Sequence, residues 1–305
     1  MKKICMRTIF SLLLCVVSLC VSAQDLTVAS YNIRYLNTKD SLAGNAWSQR
    51  LPYIVQLIRF HGFDVFGTQE ATYPQLQDLT AQLDDFAYVG VGRNDGATAG
   101  EFSAIFYNTS RVKLLDSGTF WLSENTEKPN VGWDAKLPRI CTWAFFKDLK
   151  SGAKFYFYNT HFDHVGVQAR AESARLIVSR VSERKKYPVI LTGDFNSDQH
   201  SEAYAFFVQS GILSDAYESA EVRYAPNGTF NNFNATLLTD SRLDHIFFTK
   251  PVRAKKYGVL TDTYRVKVNE EGFIAPNFPK EYSLYPSEAR VPSDHFPVMV
   301  VLELK

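Results

Sequence analysis

Short apolar segments rich in β-branched and aromatic residues recur along the whole chain, and they constrain its fold more than any other feature. Each is too short for an ordinary helix, and turn-forming residues separate it from the next, so we interpret these segments as β-strands. They read LTVASYNI, FDVFGTQ, SAIFYN, TWAFF, KFYFYNTHF, PVILTG, LDHIFF and VMVVLEL. A chain with this pattern is expected to fold around β-sheets.

Amphipathic helices are predicted between some of these strands. The clearest covers Gln168 to Arg184, where apolar side chains recur at helical spacing on one face. Two others are predicted from Trp47 to Phe60 and from Pro74 to Leu83. In the first of these, Pro52 would have to lie in the first turn or kink the helix. The segment from Glu270 to Pro292 shows neither helical nor strand periodicity and is predicted to be a long irregular loop.

The first 23 residues have the pattern of a signal peptide, with basic residues followed by an apolar run from Thr8 to Val21. That run is shorter than the roughly 18 residues that a spanning helix needs. We therefore expect cleavage after Ala23, a single domain over residues 24–305, and a periplasmic or secreted protein. Lipid anchoring through Cys20 would need a small residue before it, and Leu19 stands there. No later segment is predicted to cross a membrane.

Charge and cysteine content narrow the function further. Without the three basic residues of the leader, 30 basic and 32 acidic residues remain, so the expected mature chain is nearly neutral. Proteins that grip long nucleic acids usually carry a basic surface, so this balance favours small phosphoesters. Three of the four cysteines lie in the leader, which leaves Cys141 without a partner for an internal disulfide. The mature chain is expected to depend on a large apolar core.

Polar residues that suit metal binding stand at the ends of the predicted strands. They are Asn32, Glu70, His161, Asp194, Asn196, Asp244, Asp294 and His295. Strand ends hold side chains rigidly, and carboxylate and amide oxygens are ligands for Mg²⁺, Mn²⁺ or Ca²⁺. Each residue alone could be an ordinary turn, cap or ion-pair residue. Together with histidines, the set predicts metal-assisted hydrolysis.

The motifs that contain these residues resemble those of a known group of enzymes. In order they are SYNIRY, GTQE, NTHFDHVG, LTGDFNS, RLDHIFF and SDHFPV. They resemble the motif set of the deoxyribonuclease-like endonuclease/exonuclease/phosphatase superfamily, and the resemblance runs from Leu26 to Leu304. It implies an α/β four-layer sandwich, in which two mixed β-sheets pack face to face with helices on both outer sides. The known members of this superfamily cleave phosphoesters.

The resemblance also implies roles for the eight residues. Asn32, Glu70 and Asp294 would bind a divalent metal, Mg²⁺ or Mn²⁺ first and Ca²⁺ as a further option. The catalytic set would be His161, Asp194, Asn196, Asp244 and His295. Within it, Asp194 would activate water with the help of Asn196. His161 would donate to the phosphoryl oxygens, and Asp244 would hold His295.

The function expected is that of a secreted metal-dependent phosphatase or phosphodiesterase, a monomer acting on a small or lipid-linked phosphoester. The aromatic loop from Phe273 to Tyr285 could touch a lipid surface. One alternative is a secreted nuclease that scavenges DNA or RNA. Another is an inactive module that binds a phosphorylated ligand, although no member of the catalytic set is missing. For Arg139 and Glu101 the sequence leaves two interpretations open: contact with the substrate, or a position on the protein surface.

Overall fold

The computed structural model describes residues 25–277 and 279–304. The predicted leader, with its signal-peptide pattern and three cysteines, lies outside the described residues. Cys141 is buried and unpaired. Within the described ranges, no helix combines the length and the apolar character that crossing a bilayer requires.

Strands dominate the described part of the chain, with helices between them. The strands are β1 Asp25–Asn32, β2 Val65–Gln69, β3 Phe86–Val89, β4 Ile105–Asn108, β5 Val112–Trp121, β6 Ile140–Asp148, β7 Lys154–His161, β8 Val189–Asp194, β9 Leu213–Asp215, β10 Val222–Tyr224, β11 Asp244–Thr249, β12 Arg253–Val259, β13 Tyr264–Lys267, β14 Ser287–Arg290 and β15 Val298–Glu303. The helices are α1 Thr38–Leu42, α2 Trp47–Phe60, α3 Tyr73–Gln82, α4 Val167–Ser182, α5 Glu202–Gln209 and α6 Ala216–Ser219.

The longer strands form two mixed sheets. Sheet A has the order β10-β12-β15-β1-β2-β4-β3, and sheet B has the order β5-β6-β7-β8-β11-β9. In sheet A, β1 pairs parallel with β2 and antiparallel with β15. In sheet B, β8 likewise pairs parallel with β7 and antiparallel with β11. A separate hairpin joins β13 to β14.

Apolar packing arranges these elements in four layers. Between the sheets, Val28 and Val65 of sheet A belong to one buried cluster with Phe157 of sheet B. The outer face of sheet A packs on α2 and α3 through a second cluster, and that of sheet B packs on α4 and α5 through a third. Burying each such side chain contributes about 1.5–3 kcal/mol. The expected four-layer α/β sandwich is therefore confirmed.

Along the strands, the face that points between the sheets changes from apolar to polar. On β7, Phe155 and Phe157 are followed on the same face by Asn159 and His161, because side chains alternate along a strand. All four are buried. The layer between the sheets is therefore an apolar core at one end and a polar site at the other.

Asn159 cross-links the two sheets just beneath this polar end. Its side-chain amide donates to the backbone carbonyls of Thr68 and Ala104, each at 2.9 Å. Its carbonyl oxygen accepts a 2.7 Å hydrogen bond from Gln69. A Cβ added at Gly67 would come within 2.2 Å of that oxygen, so only glycine leaves room for the contact. This network fixes the separation of the sheets where the site begins.

Two expectations about local structure were wrong in part. The segment from Glu270 to Pro292 is not irregular throughout, because β14 lies inside it and pairs with β13. Pro52 is the sixth residue of α2, so it lies in the second turn rather than the first, and the alternative of a kinked helix stays a prediction. The helix still runs to Phe60, since a proline so near its start removes a single intrahelical hydrogen bond.

Candidate active site

The structure brings all eight predicted site residues to one edge of the sandwich. The carboxyl ends of β1, β2, β7 and β8 meet there with the first residue of β11, because β11 runs antiparallel to β8. In sheet B, Asp194 lies in register between His161 and Asp244. Asn32 ends β1 in the facing sheet A. The site therefore spans the two sheets.

Asp194 lies at the centre of the site. Its Oδ2 accepts a 2.9 Å hydrogen bond from the amide of Asn32, and its Oδ1 accepts one of 2.9 Å from the backbone N–H of Asn196. The same Oδ2 lies 3.6 Å from Nε2 of His161 and 3.7 Å from Nε2 of His295. Burial, reinforced by the Asp244 carboxylate, raises the pKa of Asp194 to about 7.

His295 and Asp244 form a buried dyad. The Nδ1–H of His295 donates to Oδ2 of Asp244 at 2.8 Å, which turns Nε2 toward Asp194. Burial lowers the pKa of His295, but the carboxylates of Asp244 and Asp194 outweigh burial and hold that pKa well above its ordinary value. This shift favours the protonated imidazole, which can serve as an acid.

His161 has the opposite charge state. Burial and the positive charges of Arg139 and Arg93 hold the pKa of His161 well below its ordinary value, so this imidazole is neutral. Its Nε2 accepts a 3.0 Å hydrogen bond from the amide of Asn196, which leaves the proton on Nδ1. The predicted donation to a phosphoryl oxygen would therefore have to come from Nδ1, which is buried and has no partner among the described residues.

Glu70 follows β2 in a left-handed backbone conformation, with a φ of 65°. Its carboxylate accepts hydrogen bonds from the amide of Asn32 at 3.1 Å and from the backbone N–H of Tyr35 at 3.3 Å. Asn32 thus turns its nitrogen, not its oxygen, toward Glu70 and Asp194. In this arrangement Asn32 orients the two carboxylates.

Arg34 is part of the site, and we did not predict it. Its Nη1 lies 3.7 Å from Glu70 and 3.4 Å from Asp294, and its Nε donates to Asp40 at 2.8 Å. The motif SYNIRY places this arginine two residues after Asn32, but nothing in the motif shows that its side chain turns back toward Glu70. The guanidinium thus lies between two of the predicted metal ligands.

The backbone of Arg34 is strained and held in place on both sides. Its φ is 56°, a conformation that costs a non-glycine residue about 1–2 kcal/mol. The backbone N–H donates to Asn32, and the carbonyl accepts from Arg50 at 3.1 Å and from Gln75 at 2.9 Å. Arg50 is itself buried and donates to the carbonyls of Ile33 and Pro292, so it ties together the loops that carry Arg34 and Asp294. Strain retained by so many contacts at a site points to a functional position.

The donor set fits a divalent cation. Glu70, His161 and Asp194 each offer a ligand atom, and these three atoms lie within 4.8 Å of one another. Carboxylate oxygens such as those of Glu70 suit Mg²⁺ or Mn²⁺, whereas Nε2 of His161 is already occupied by the hydrogen bond from Asn196. Burial raises the pKa of Asp294, and the charge of Glu70 adds to that rise, so a cation between the carboxylates would relieve their repulsion. Asp294 faces Glu70 beside Arg34.

These residues open into a cavity of about 340 Å³. Its lining also includes Arg139, His164, Glu101 and Phe230. Glu101 accepts from both terminal nitrogens of Arg93 at 2.8 Å, so it does not simply face solvent. Arg139 is buried rather than a surface residue. A pocket of this size suits a small organic phosphate.

The Arg139 guanidinium is fixed on two of its three nitrogens. Its Nε donates to Asp163 at 3.3 Å, and its Nη2 donates to Nδ1 of His164 at 3.0 Å. Its Nη1 is buried and has no partner among the described residues. Within the described part of the chain, the side chain therefore keeps one buried donor without a hydrogen bond, although Arg139 as a residue lines the cavity.

Replacing Arg34 with glutamine is expected to strengthen divalent-metal binding about tenfold, because a positive charge beside Glu70 and Asp294 is removed. Isothermal titration of the substrate-free protein with Mn²⁺ measures this directly. Arg59→Gln is the control, since Arg59 contacts exposed carboxylates far from the site. Weaker binding by Arg34→Gln than by the wild type would contradict this expectation.

The raised pKa of Asp194 predicts a pH-dependent stability for the metal-free protein. A carboxyl whose pKa rises from 3.8 to about 7 on folding binds more protons in the folded state, so its contribution falls as pH increases through that range. Asp194→Asn should therefore be stabilised over the wild type more at pH 8 than at pH 5. Urea unfolding in EDTA at both pH values tests this, and an equal difference at the two would count against it.

Comparison with known proteins agrees with this geometry. A model of the Endonuclease/Exonuclease/phosphatase family matches residues 29–295. The mannosyl-6-phosphatase of Bacteroides thetaiotaomicron is 50% identical, with a TM-score of 0.84 over 91% of this chain and 99% of that chain. A second solved structure from that organism, described as an endonuclease/exonuclease/phosphatase family protein, is 49% identical, with a TM-score of 0.85 over 92% of this chain and 98% of that chain.

More distant similarity reaches nucleases. Nocturnin of Rattus norvegicus is 24% identical over 273 residues, which cover 82% of this chain but only 56% of nocturnin. With the family match covering most of the described residues, the chain belongs to the endonuclease/exonuclease/phosphatase family of phosphoester hydrolases.

Proposed function

We propose that this protein is a metal-dependent phosphomonoesterase that releases inorganic phosphate from sugar phosphates. The observation that carries the proposal is the cavity over Asp194 and His295, whose lining combines carboxylates suited to a metal with arginines suited to an anion. The similarity to a mannosyl-6-phosphatase, over nearly the whole length of that enzyme, supports a sugar phosphate as the substrate.

Proton transfer in the proposed reaction rests on two groups, a base and an acid. Asp194, with a pKa raised to about 7, can take a proton from the attacking water near neutral pH. Protonated His295, held by Asp244, can give a proton to the departing oxygen through Nε2. The water oxygen bonds to phosphorus, the bond to the sugar oxygen breaks, and the proton from His295 completes the alcohol product.

Other residues of the chain would bind the metal and the phosphate or orient the groups of the site. Glu70 would hold the metal, with Asp294 completing the acidic set. Bound Mg²⁺ or Mn²⁺ would neutralise the phosphate and polarise its phosphorus–oxygen bonds. Arg34 and Arg139 add positive charge at the cavity wall. Asn196 keeps His161 in one tautomer through its hydrogen bond to Nε2.

Hydrolysis of mannose 6-phosphate by the purified protein tests the proposal. We expect phosphate release with Mg²⁺ or Mn²⁺, loss of activity in EDTA, and recovery when the metal is restored. The reaction should be compared with bis(p-nitrophenyl) phosphate, a diester. Faster cleavage of the diester than of any sugar phosphate would refute a monoesterase.

A nuclease is the second candidate, since nocturnin and a Ccr4 exoribonuclease subunit are among the relatives. Activity on RNA or DNA that falls steeply with added salt would favour it. Export, a monomeric state and lipid contact by the loop from Phe273 to Tyr285 remain predictions. Vesicle flotation would test the lipid contact, and a secretion assay would test the export.

A further inference from the structure

Glu101 is a carboxylate in the wall of the cavity that the proposed proton transfers do not use. It lies in the loop between β3 and β4, where the backbone N–H of Arg93 donates to the Glu101 carbonyl at 3.1 Å. The loop therefore fixes the Glu101 backbone opposite that of Arg93.

The carboxylate of Glu101 is held rigidly by a single partner. Both of its oxygens accept from the guanidinium of Arg93 at 2.8 Å, a bidentate pair, and Arg93 is only 7% exposed. A carboxylate offers about four acceptor positions, so about two remain open. Glu101 is therefore a fixed acceptor with spare capacity at the cavity.

The two simplest roles for Glu101 do not fit its position. Its Oε2 lies 3.8 Å from Nδ1 of His161, which is too long for a hydrogen bond that would orient the imidazole. The ligand atoms that converge for a metal belong to Glu70, His161 and Asp194, not to Glu101. Repulsion between like charges also prevents the carboxylate from binding a phosphate directly. It must face a part of the substrate that donates hydrogen bonds.

The surroundings of Glu101 complement a hydroxyl group. A hydroxyl donates as well as accepts, and the bidentate pair with Arg93 leaves acceptor positions of Glu101 free on the cavity wall. The ring of Phe230, which is 39% exposed, adds an apolar surface on the cavity beside His295. A fixed acceptor and an aromatic face together suit a sugar ring.

We propose that Glu101 is a specificity-determining residue that accepts hydrogen bonds from the hydroxyls of a neutral, sugar-like leaving group. This inference rests on the proposed function and deepens it, because it concerns the group attached to the phosphate. An anionic leaving group, such as a nucleotide or an inositol polyphosphate, meets repulsion from the same carboxylate. Glu101 thereby separates sugar monophosphates from the polyanionic substrates of a nuclease.

The test compares two monoesters of the same phosphate. For Glu101→Gln, we expect the ratio of kcat/KM for mannose 6-phosphate to kcat/KM for p-nitrophenyl phosphate to fall about tenfold, mainly through the KM of the sugar phosphate. Glu101→Asp keeps the charge but shortens its reach, so its ratio should lie between those of Glu101→Gln and the wild type. Glu172→Gln is the control, because Glu172 pairs with Arg175 on α4 and does not line the cavity.

Each result bears on the proposal. An equal loss on both substrates, with an unchanged melting temperature, overturns it and assigns Glu101 to the phosphate end of the site. An unchanged ratio in both Glu101 variants also overturns it. If Glu101→Gln does not fold, Glu101→Asp decides by the same ratio. If the wild type hydrolyses neither compound, the proposed function and this inference fall together, and the wild-type rates alone reveal that case.

Discussion

Replacing Asp194 with asparagine is expected to lower kcat by about 1000-fold while the protein stays folded. The amide keeps nearly the shape of the carboxylate, and its oxygen can still accept from Asn32, whose hydrogen bond to Oδ2 is 2.9 Å long. It cannot take a proton from water. Steady-state phosphate release with saturating metal measures the loss, and circular dichroism confirms the fold.

The matched control is Asp116→Asn, because Asp116 is an exposed aspartate on β5, away from the cavity. Its kcat should stay within about twofold of the wild type, as is usual for a surface substitution. A similar kcat for Asp194→Asn and the wild type would show that the proton goes elsewhere, and the assignment of Asp194 as the base would then be abandoned.

The second large effect is expected at Asn159, where leucine should lower the free energy of unfolding by about 3 kcal/mol. Leucine cannot donate to the carbonyls of Thr68 and Ala104, and the amide of Gln69 loses its 2.7 Å acceptor. Its branched end would also meet the backbone at Gly67, where there is no spare room. Urea denaturation measures the change.

Asn269→Leu makes the same chemical change at an exposed position, and its stability should match that of the wild type within about 0.5 kcal/mol. If Asn159→Leu were equally harmless, the hydrogen bonds across the sheets would contribute nothing net. We further expect a lower kcat for Asn159→Leu at temperatures where the variant is still folded. Gln69, which loses its hydrogen-bond acceptor, directly precedes Glu70 of the site.

The sequence predicts most of the central strands, and the structure brings the eight predicted site residues together, for a physical reason. Buried strands need continuous apolar side chains, and the polar residue that ends such a run, such as Asp194, stands out against it. Strands at sheet edges were missed because their apolar pattern is interrupted. In the edge strand β5, for example, Asp116 and a bulge break the pattern. An edge strand is solvated on one side and need not be apolar.

Residues that reach the site from outside its strands could not be predicted in the same way. Arg34 reaches Glu70 and Asp294 only because its backbone turns left-handed, and one sequence does not show the sign of φ for an arginine. Glu101 reaches the cavity through a loop whose path depends on its pairing with Arg93. Such contacts between distant parts of the chain depend on tertiary packing, which spacing along the sequence does not encode.

The placement of the site across the two sheets has a thermodynamic consequence. Asn32 and Glu70 come from sheet A, whereas His161 and Asp194 come from sheet B, so neither half of the sandwich carries the full set of site residues alone. Anything that binds only the assembled site stabilises the folded state by mass action. A tight inhibitor would thus act as a clamp across the two sheets and raise the melting temperature of the whole sandwich.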